Sequence, residues 1–304
     1  MFLTSLSIHN KLTFMKKILI ILFIFLAAPL PGLDNSPELW KYENNASLVY
    51  ILGSIHVSDN SLFPMPEEIN EAWLNCENLV IEADVFGNPL ELQSLILKKG
   101  QIKADISLKK LLDESSYKKL SSILSGYGIP IATIENLQPW LIEATLLSLE
   151  LMKAGLAEEG VDKYFYDKAV NREVPVSYLE TALEQFNIMS SVPLELQARS
   201  LANSIESEGL IANEMKNLLK AYKSGDTEKI NEILSEDFSF YEENDGNKVY
   251  EILLTNRNRR WTNKISDYIS SGGSYFIVVG AAHVIGTDNI IEMLADRGFQ
   301  FYNN

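Results

Sequence analysis

Two histidines in this chain each stand three residues after a glycine, at the point where a run of strand-forming residues stops. Gly53-Ser54-Ile55-His56 follows Leu48-Val49-Tyr50-Ile51-Leu52, and Gly280-Ala281-Ala282-His283 follows Tyr275-Phe276-Ile277-Val278-Val279. A glycine at a strand end lets the backbone turn sharply or approach a ligand closely, and the short loop behind it presents the imidazole above the sheet. Parallel strands would put both rings on one edge. Neutral imidazole is a common ligand for divalent metals and the usual general base near pH 7, so paired rings point to metal binding or to acid–base chemistry. A lone histidine would more simply cap a loop or fill a core gap. It is the repeated context that separates this pair from that reading.

Carboxylates stand at two further strand ends. Leu79-Val80-Ile81-Glu82-Ala83-Asp84 places Glu82 and Asp84 two residues apart, on the same side of an extended chain and facing the crevice of His56. Tyr178-Leu179-Glu180 repeats the arrangement, although Thr181 with Glu184 matches a helix capping box and Glu180 could serve that helix start alone. Arg257-Asn258-Arg259-Arg260 is the one basic cluster; on a helix Arg257 and Arg260 share a face that could clamp an anion or a developing oxyanion, or simply pair with surrounding acids. Gly160-Val161-Asp162 reads as a helix start with its cap. There is no Gly-x-Ser-x-Gly elbow, His-Glu-x-x-His helix, phosphate loop or Cys-x-x-Cys pair, which removes the ordinary serine hydrolase, zincin and nucleotide-binding readings.

The elements that position these residues gather at the two ends of the chain. The run 48–52 is a buried strand with Trp40 to Glu43 as its hairpin partner, the segment from Pro66 to Cys76 is an amphipathic helix, and Leu79 to Ala83 is a second strand. A strand–helix–strand unit of that size favours parallel pairing of its strands. Residues 89–168 read as helical, clearest over Ser107–Leu124 and Pro139–Ala154, and Val174 to Leu179 is a third strand. Helix resumes from Thr181 to about Leu234 and again over Lys248–Ser270. The strand Tyr275–Val279, a helix over Asp288–Arg297 and a terminal strand Phe299–Tyr302 complete the chain. The expected fold is therefore α/β, a mostly parallel sheet built from both chain ends, with a helical insertion over about 89–270 as cover or lid.

Of 304 residues, 46% are hydrophobic and 22% charged, an ordinary globular composition with a large core. A net charge of −15 would repel phosphate backbones, so no nucleic acid partner is expected. Cys76, alone of its type, excludes an intramolecular disulfide and reads as a buried structural thiol. Met15-Lys16-Lys17, the apolar run Ile18–Ala28 and then Pro29, Pro31 and Gly32 have the layout of a secretory signal peptide over residues 1–32, with Met15 as an alternative start of translation. The run is shorter than the roughly 20 residues of a membrane span, so the expectation is export to the periplasm or medium, with no stable span after signal removal and a single domain over 33–304. His9 would be lost with the signal, leaving His56 and His283.

The ordered set of motifs resembles the TraB/GumN family, which also includes the Tiki-type proteases. The resemblance rests on Tyr50-Ile51-Leu52-Gly53-Ser54-Ile55-His56, Phe63-Pro64-Met65-Pro66, Leu79 to Asp84, Gly160-Val161-Asp162, Leu179-Glu180-Thr181 with Gln185, Arg257-Asn258, and Val279 to Gly286. It covers about residues 40 to 304, with Ser54 where the family often has threonine. It implies a centre of two Gly-x-x-His motifs and a glutamate, here His56, Glu82 and His283, with divalent-metal-dependent peptidase activity in the Tiki branch. Wider relatives resemble erythromycin esterases, which are metal-independent hydrolases, and ChaN-like haem binders.

The leading expectation is a metal-assisted, peptidase-like hydrolase. His56, Glu82 and His283, with Asp84 nearby, would hold Mn²⁺, Co²⁺ or Zn²⁺; Asp84 or Glu180 would manage protons, and Arg257 would steady an oxyanion. The alternatives are an esterase-like hydrolase using the same residues without metal, His56 as general base, and a haem- or ligand-binding protein without turnover. The substrate, a peptide or a small molecule, stays open.

Overall fold

Runs of valine, isoleucine and aromatic residues with no polar alternation must be covered on both faces, and they form the centre of the sheet. In the computed structural model, which describes residues 36–303 apart from 60, 104, 158 and 237, β1 (Leu39–Glu43) and β2 (Ser47–Ser54) make an antiparallel hairpin. Helix α1 (Glu67–Leu74) buries Ile69, Ala72 and Trp73 and leads into β3 (Asn78–Ala83). The signal-like stretch 1–32, Met15 and His9 lie outside the described residues.

Helices α2 (Pro89–Lys99), α3 (Leu108–Leu111), α4 (Glu114–Gly126), α5 (Pro139–Lys153) and α6 (Val161–Arg172) precede β4 (Val176–Glu180). Then come α7 (Ala182–Ser191), α8 (Leu194–Glu206), α9 (Ile211–Lys223), α10 (Thr227–Glu236) and α11 (Glu243–Tyr250). A π-helical turn over Glu251–Thr255 joins α11 to α12 (Asn256–Ser271). The chain closes with β5 (Gly273–Gly280), a 3₁₀ turn at Ala281–His283, α13 (Ile290–Ala295) and β6 (Tyr302–Asn303).

The sheet has the order β4-β3-β5-β2-β1-β6, with β4, β3, β5 and β2 parallel and β1 antiparallel to both its neighbours. The mostly parallel α/β sheet assembled from both chain ends, with a large helical middle, is thus the fold. One pairing differs from expectation: β2 and β3 are parallel but not adjacent, because β5 lies between them. Phe276 to Val279 are wholly buried, and a central place gives so apolar a strand a partner on each side. Four parallel strands consequently end on one edge, where His56, Glu82, Glu180 and Gly280 all emerge.

The helical middle has its own apolar centre, in which Leu120, Leu124, Ile142, Leu146, Leu201 and Ile205 pack together from α4, α5 and α8. Several boundaries move for local reasons. The stretch Ser107–Leu124 breaks because Leu112 is extended and Asp113 caps α4, accepting from Ser116 N at 2.9 Å. The expected helix from Lys248 begins at Glu243 and carries the π turn, and the last strand falls at Tyr302–Asn303. Among the described residues no helix is long and apolar enough to cross a membrane.

Candidate functional site

Register fixes the two Gly-x-x-His motifs side by side: Gly53 pairs with Val279 and Ser54 with Gly280. A side chain on Gly53 would press on Val284 at 3.0 Å and on the backbone of Ala281 at 3.2 Å, so glycine there lets the two strand ends close together. Beyond β2 the chain turns under the start of α6. Val161 N donates to Ile55 O at 3.1 Å, and Gly160 lies so near that an added Cβ would sit 2.0 Å from that same carbonyl oxygen.

That contact aligns His56 with Asp162. Nδ1 of His56 is 3.1 Å from Oδ2 of Asp162; the imidazole side chain is 58% exposed and the carboxylate nearly covered. The protein packed about the ring draws its pKa down, but Asp162 at ion-pair distance and then Glu82 outweigh this, and His56 is raised to about 9. With Nδ1 engaged, proton exchange with a ligand falls to Nε2.

Behind His56 lies a buried ionic cluster. Arg257 Nη2 donates to Glu82 Oε2 at 2.8 Å and to Glu180 Oε1 at 2.7 Å, and its Nε reaches Glu180 Oε1 at 3.1 Å. Glu82 Oε1 accepts the backbone N–H of Gly280 at 2.7 Å, tying β3 to the second histidine motif. Burial opposes the Glu82 charge, yet Arg257 foremost holds its pKa below the ordinary carboxylate range; for Glu180 burial prevails and the pKa rises. Arg257 and Arg260 do not share an environment: Arg260 is 50% exposed and approaches Glu180 Oε2 from outside at 3.6 Å. The π turn rotates the helix so that Arg257, Asn258 and Trp261 all face inward, with the Arg257 guanidinium 4.4 Å from the Trp261 ring centre.

His283 is wholly buried in this cluster. Asn258 Nδ2 donates to Asp288 O at 2.8 Å, so its Oδ1 accepts from Nδ1 of His283, which sets the tautomer. Nε2 then faces Glu82 Oε1 at 3.7 Å, and desolvation first, with Arg257 second, drives the pKa well below 6.5. His283 is therefore neutral.

The structure thus brings His56, Glu82, Glu180, Arg257 and His283 to one sheet edge and leaves Asp84 apart. The strand ends at Ala83, so the alternation that would align Asp84 with Glu82 stops, and the exposed Asp84 accepts from Gly87 N at 3.1 Å. Arg257 faces Glu82 and Glu180 instead of open space, which suits it to keep carboxylates charged and not to clamp an oxyanion. Cys76 is buried, its thiol pushed up to about 12 by burial. As donors for a divalent ion these residues fit poorly: Glu82 already holds a cation and a backbone N–H, and among the described residues no three His, Cys, Asp or Glu side chains are grouped to hold a metal.

Between the sheet edge and the helical cover lies a cavity of about 240 Å³. His56, Ser54 and Gly280 form its sheet end, while Trp140, Leu147, Met215 and Phe238 typify the rest.

The model of the TraB/PrgY/gumN family matches residues 38–301. This chain belongs to the TraB/PrgY/gumN family. Among curated proteins it is similar to the uncharacterized protein YbaP of Escherichia coli strain K12, 25% identical over 249 residues, covering 81% of this chain and 87% of YbaP. It is also similar to an uncharacterized protein of Treponema pallidum strain Nichols, 20% identical over 281 residues, covering 88% of this chain and 83% of the other. No solved structure matches the chain.

For this TraB/PrgY/gumN chain, two residues of the cluster escape a reading by residue type. Asp162 looks like a helix cap, and only the fold of Gly160 against Ile55 reveals it as the partner of His56. Asn258 is hidden inside a basic run, and the fixed order Arg257-Asn258 was its one signal. Glu143, buried in the cavity wall on α5, gave none, since its neighbours in sequence make an unremarkable helix.

Proposed function

We propose that this protein is a hydrolase in which His56, oriented by Asp162, carries the proton transfer. The observation that supports this is the 3.1 Å approach of a mostly exposed imidazole to a buried carboxylate at the mouth of a cavity. Neutral His56 takes a proton through Nε2 from the water that attacks the scissile carbonyl, and the resulting imidazolium gives that proton to the leaving group. Asp162 holds the ring in position and stabilises the imidazolium, at the cost of a smaller neutral fraction near pH 7. The cluster of Glu82, Arg257, Glu180 and His283 acts behind it, pinning Gly280 and the second motif.

The expected experiment is a screen of peptides and esters with purified protein before and after exhaustive chelation. Activity that survives chelation, rises with pH toward about 9 and disappears in His56→Ala supports this reading. Activity that requires Mn²⁺, Co²⁺ or Zn²⁺, with metal content lost in His56→Ala and His283→Ala, overturns it in favour of a metal centre. Haem is the weaker ligand for this space, because the carboxylates at the strand ends and Glu143 in the wall are poor neighbours for an apolar macrocycle.

We further propose export, on the basic, apolar and proline-bounded order of residues 15–32. Amino-terminal sequencing of the protein recovered from cell fractions tests it.

A further inference from the structure

The cavity beside His56 is apolar along most of its wall but contains one carboxylate that the proposed reaction does not use. Glu143, on α5, is 1% exposed, and its Oε1 accepts from Ser200 Oγ at 2.7 Å and Ser204 Oγ at 2.6 Å, both on α8. A carboxylate offers about four acceptor positions, so two hydroxyls do not exhaust it. Among the described residues that line the cavity there is no lysine or arginine. Arg199, the arginine of α8, is paired with Asp245 at 2.8 Å.

A buried acid without a cation is costly as an anion, and the surroundings show it: burial raises Glu143 to about 7, only partly offset by the two serines. The other titratable groups bordering the space are Tyr241, whose phenol burial pushes far up, and His56. His56 carries positive charge below about pH 9 and stands at the sheet end. The cavity therefore has a proton-donating end at His56, apolar walls, and a single anion-forming group at Glu143. It is also larger than the roughly 150 Å³ that accommodates benzene.

We propose that the ligand of this site is an apolar molecule bearing an ammonium group, its hydrocarbon part filling the cavity and its ammonium meeting Glu143. A carbonyl at its other end would lie toward His56, and only that placement rests on the proposed hydrolysis. The ammonium belongs either to a free alkylamine or to an amino-acid unit of a peptide; the chemistry recognised is the same.

Calorimetric titration of the full chain with n-octylamine, n-octanol, octanoate and phenylalaninamide tests this. Saturable binding of octylamine or phenylalaninamide is expected at pH 7, where both amines are mostly protonated, the tighter of the two showing the source, and octanol should bind more weakly than octylamine at pH 8. Octylamine affinity should rise about tenfold from pH 6 to pH 8 as Glu143 ionises, while the amine stays protonated throughout. Glu143→Gln should remove that rise, and Ala144→Trp, at an exposed position on the cavity wall, should abolish binding without disturbing the core. The proposal fails if neither amine saturates, if Ala144→Trp binds octylamine undiminished, or if Glu143→Gln keeps the same pH dependence. Amine binding without hydrolysis would leave this inference standing and remove the reaction; hydrolysis of polar peptides without amine binding would do the reverse.

Discussion

Nδ1 of His56 stands 3.1 Å from Oδ2 of Asp162, although 106 positions of numbering separate a loop after β2 from the first turn of α6. The pair is held by backbone, through Val161 N to Ile55 O and through the close passage of Gly160. Two consequences are measurable at His56 and one at the glycine.

Asp162→Asn should bring the His56 pKa down from about 9 toward the ordinary 6.5, and the alkaline rise in activity should move with it. An NMR titration of the imidazole follows this directly; an unchanged pKa would remove the pairing from the mechanism. Because the folded pKa lies above the unfolded one, the stabilisation from His56 is complete below about pH 6.5 and fades as pH rises through about 9. Solvent screening of this exposed ring limits it to roughly 1 kcal/mol.

Gly160→Ala should destabilise the fold by about 1–3 kcal/mol, since its Cβ would be 2.0 Å from Ile55 O and 2.6 Å from His56 Cα. Urea unfolding gives the stability, and the His56 titration shows whether the ring has moved from Asp162. Full retention of both would contradict the close approach.

Arg257→Leu should be far more damaging than Glu180→Gln. The first leaves Glu82 and Glu180 buried without their cation, a loss of about 3–5 kcal/mol, whereas the second keeps Arg257 paired with Glu82. Equilibrium unfolding of both variants tests the order, and a smaller loss for Arg257→Leu would mean the cluster is not cohesive.

Glu143 gives a slope of the same sign in a more acidic range. Its folded pKa of about 7 lies above its ordinary 4.5, so the folded state holds the extra proton and stability declines as pH rises from about 4.5 to 7. Between pH 5 and 8 the Glu143 part of the decline should amount to about 2.5 kcal/mol, so that Glu143→Gln keeps only the smaller His56 slope, read from urea midpoints.

Much of the sheet edge was legible from residue order. Apolar runs ended by Gly53 and Gly280 announced strands with histidines beyond them, and Glu82 and Glu180 followed apolar runs of the same kind. Asp84 illustrates the limit: alternation predicts a face only while a strand lasts, and β3 stops one residue too soon. The break at Asp113 and the π turn before Arg257 depend on capping and helix phase, which apolar periodicity does not register.

The sequence alone determined the α/β class, the strands at both chain ends and the residues at their termini, because hydrophobic runs and glycine punctuation are local signals. Tertiary structure decided that β5 enters between β2 and β3, that Arg257 lies between two carboxylates and that Asp162 meets His56. Those choices depend on which distant surfaces exclude water together and which buried charges must find partners. Neither is written in any one stretch of the chain.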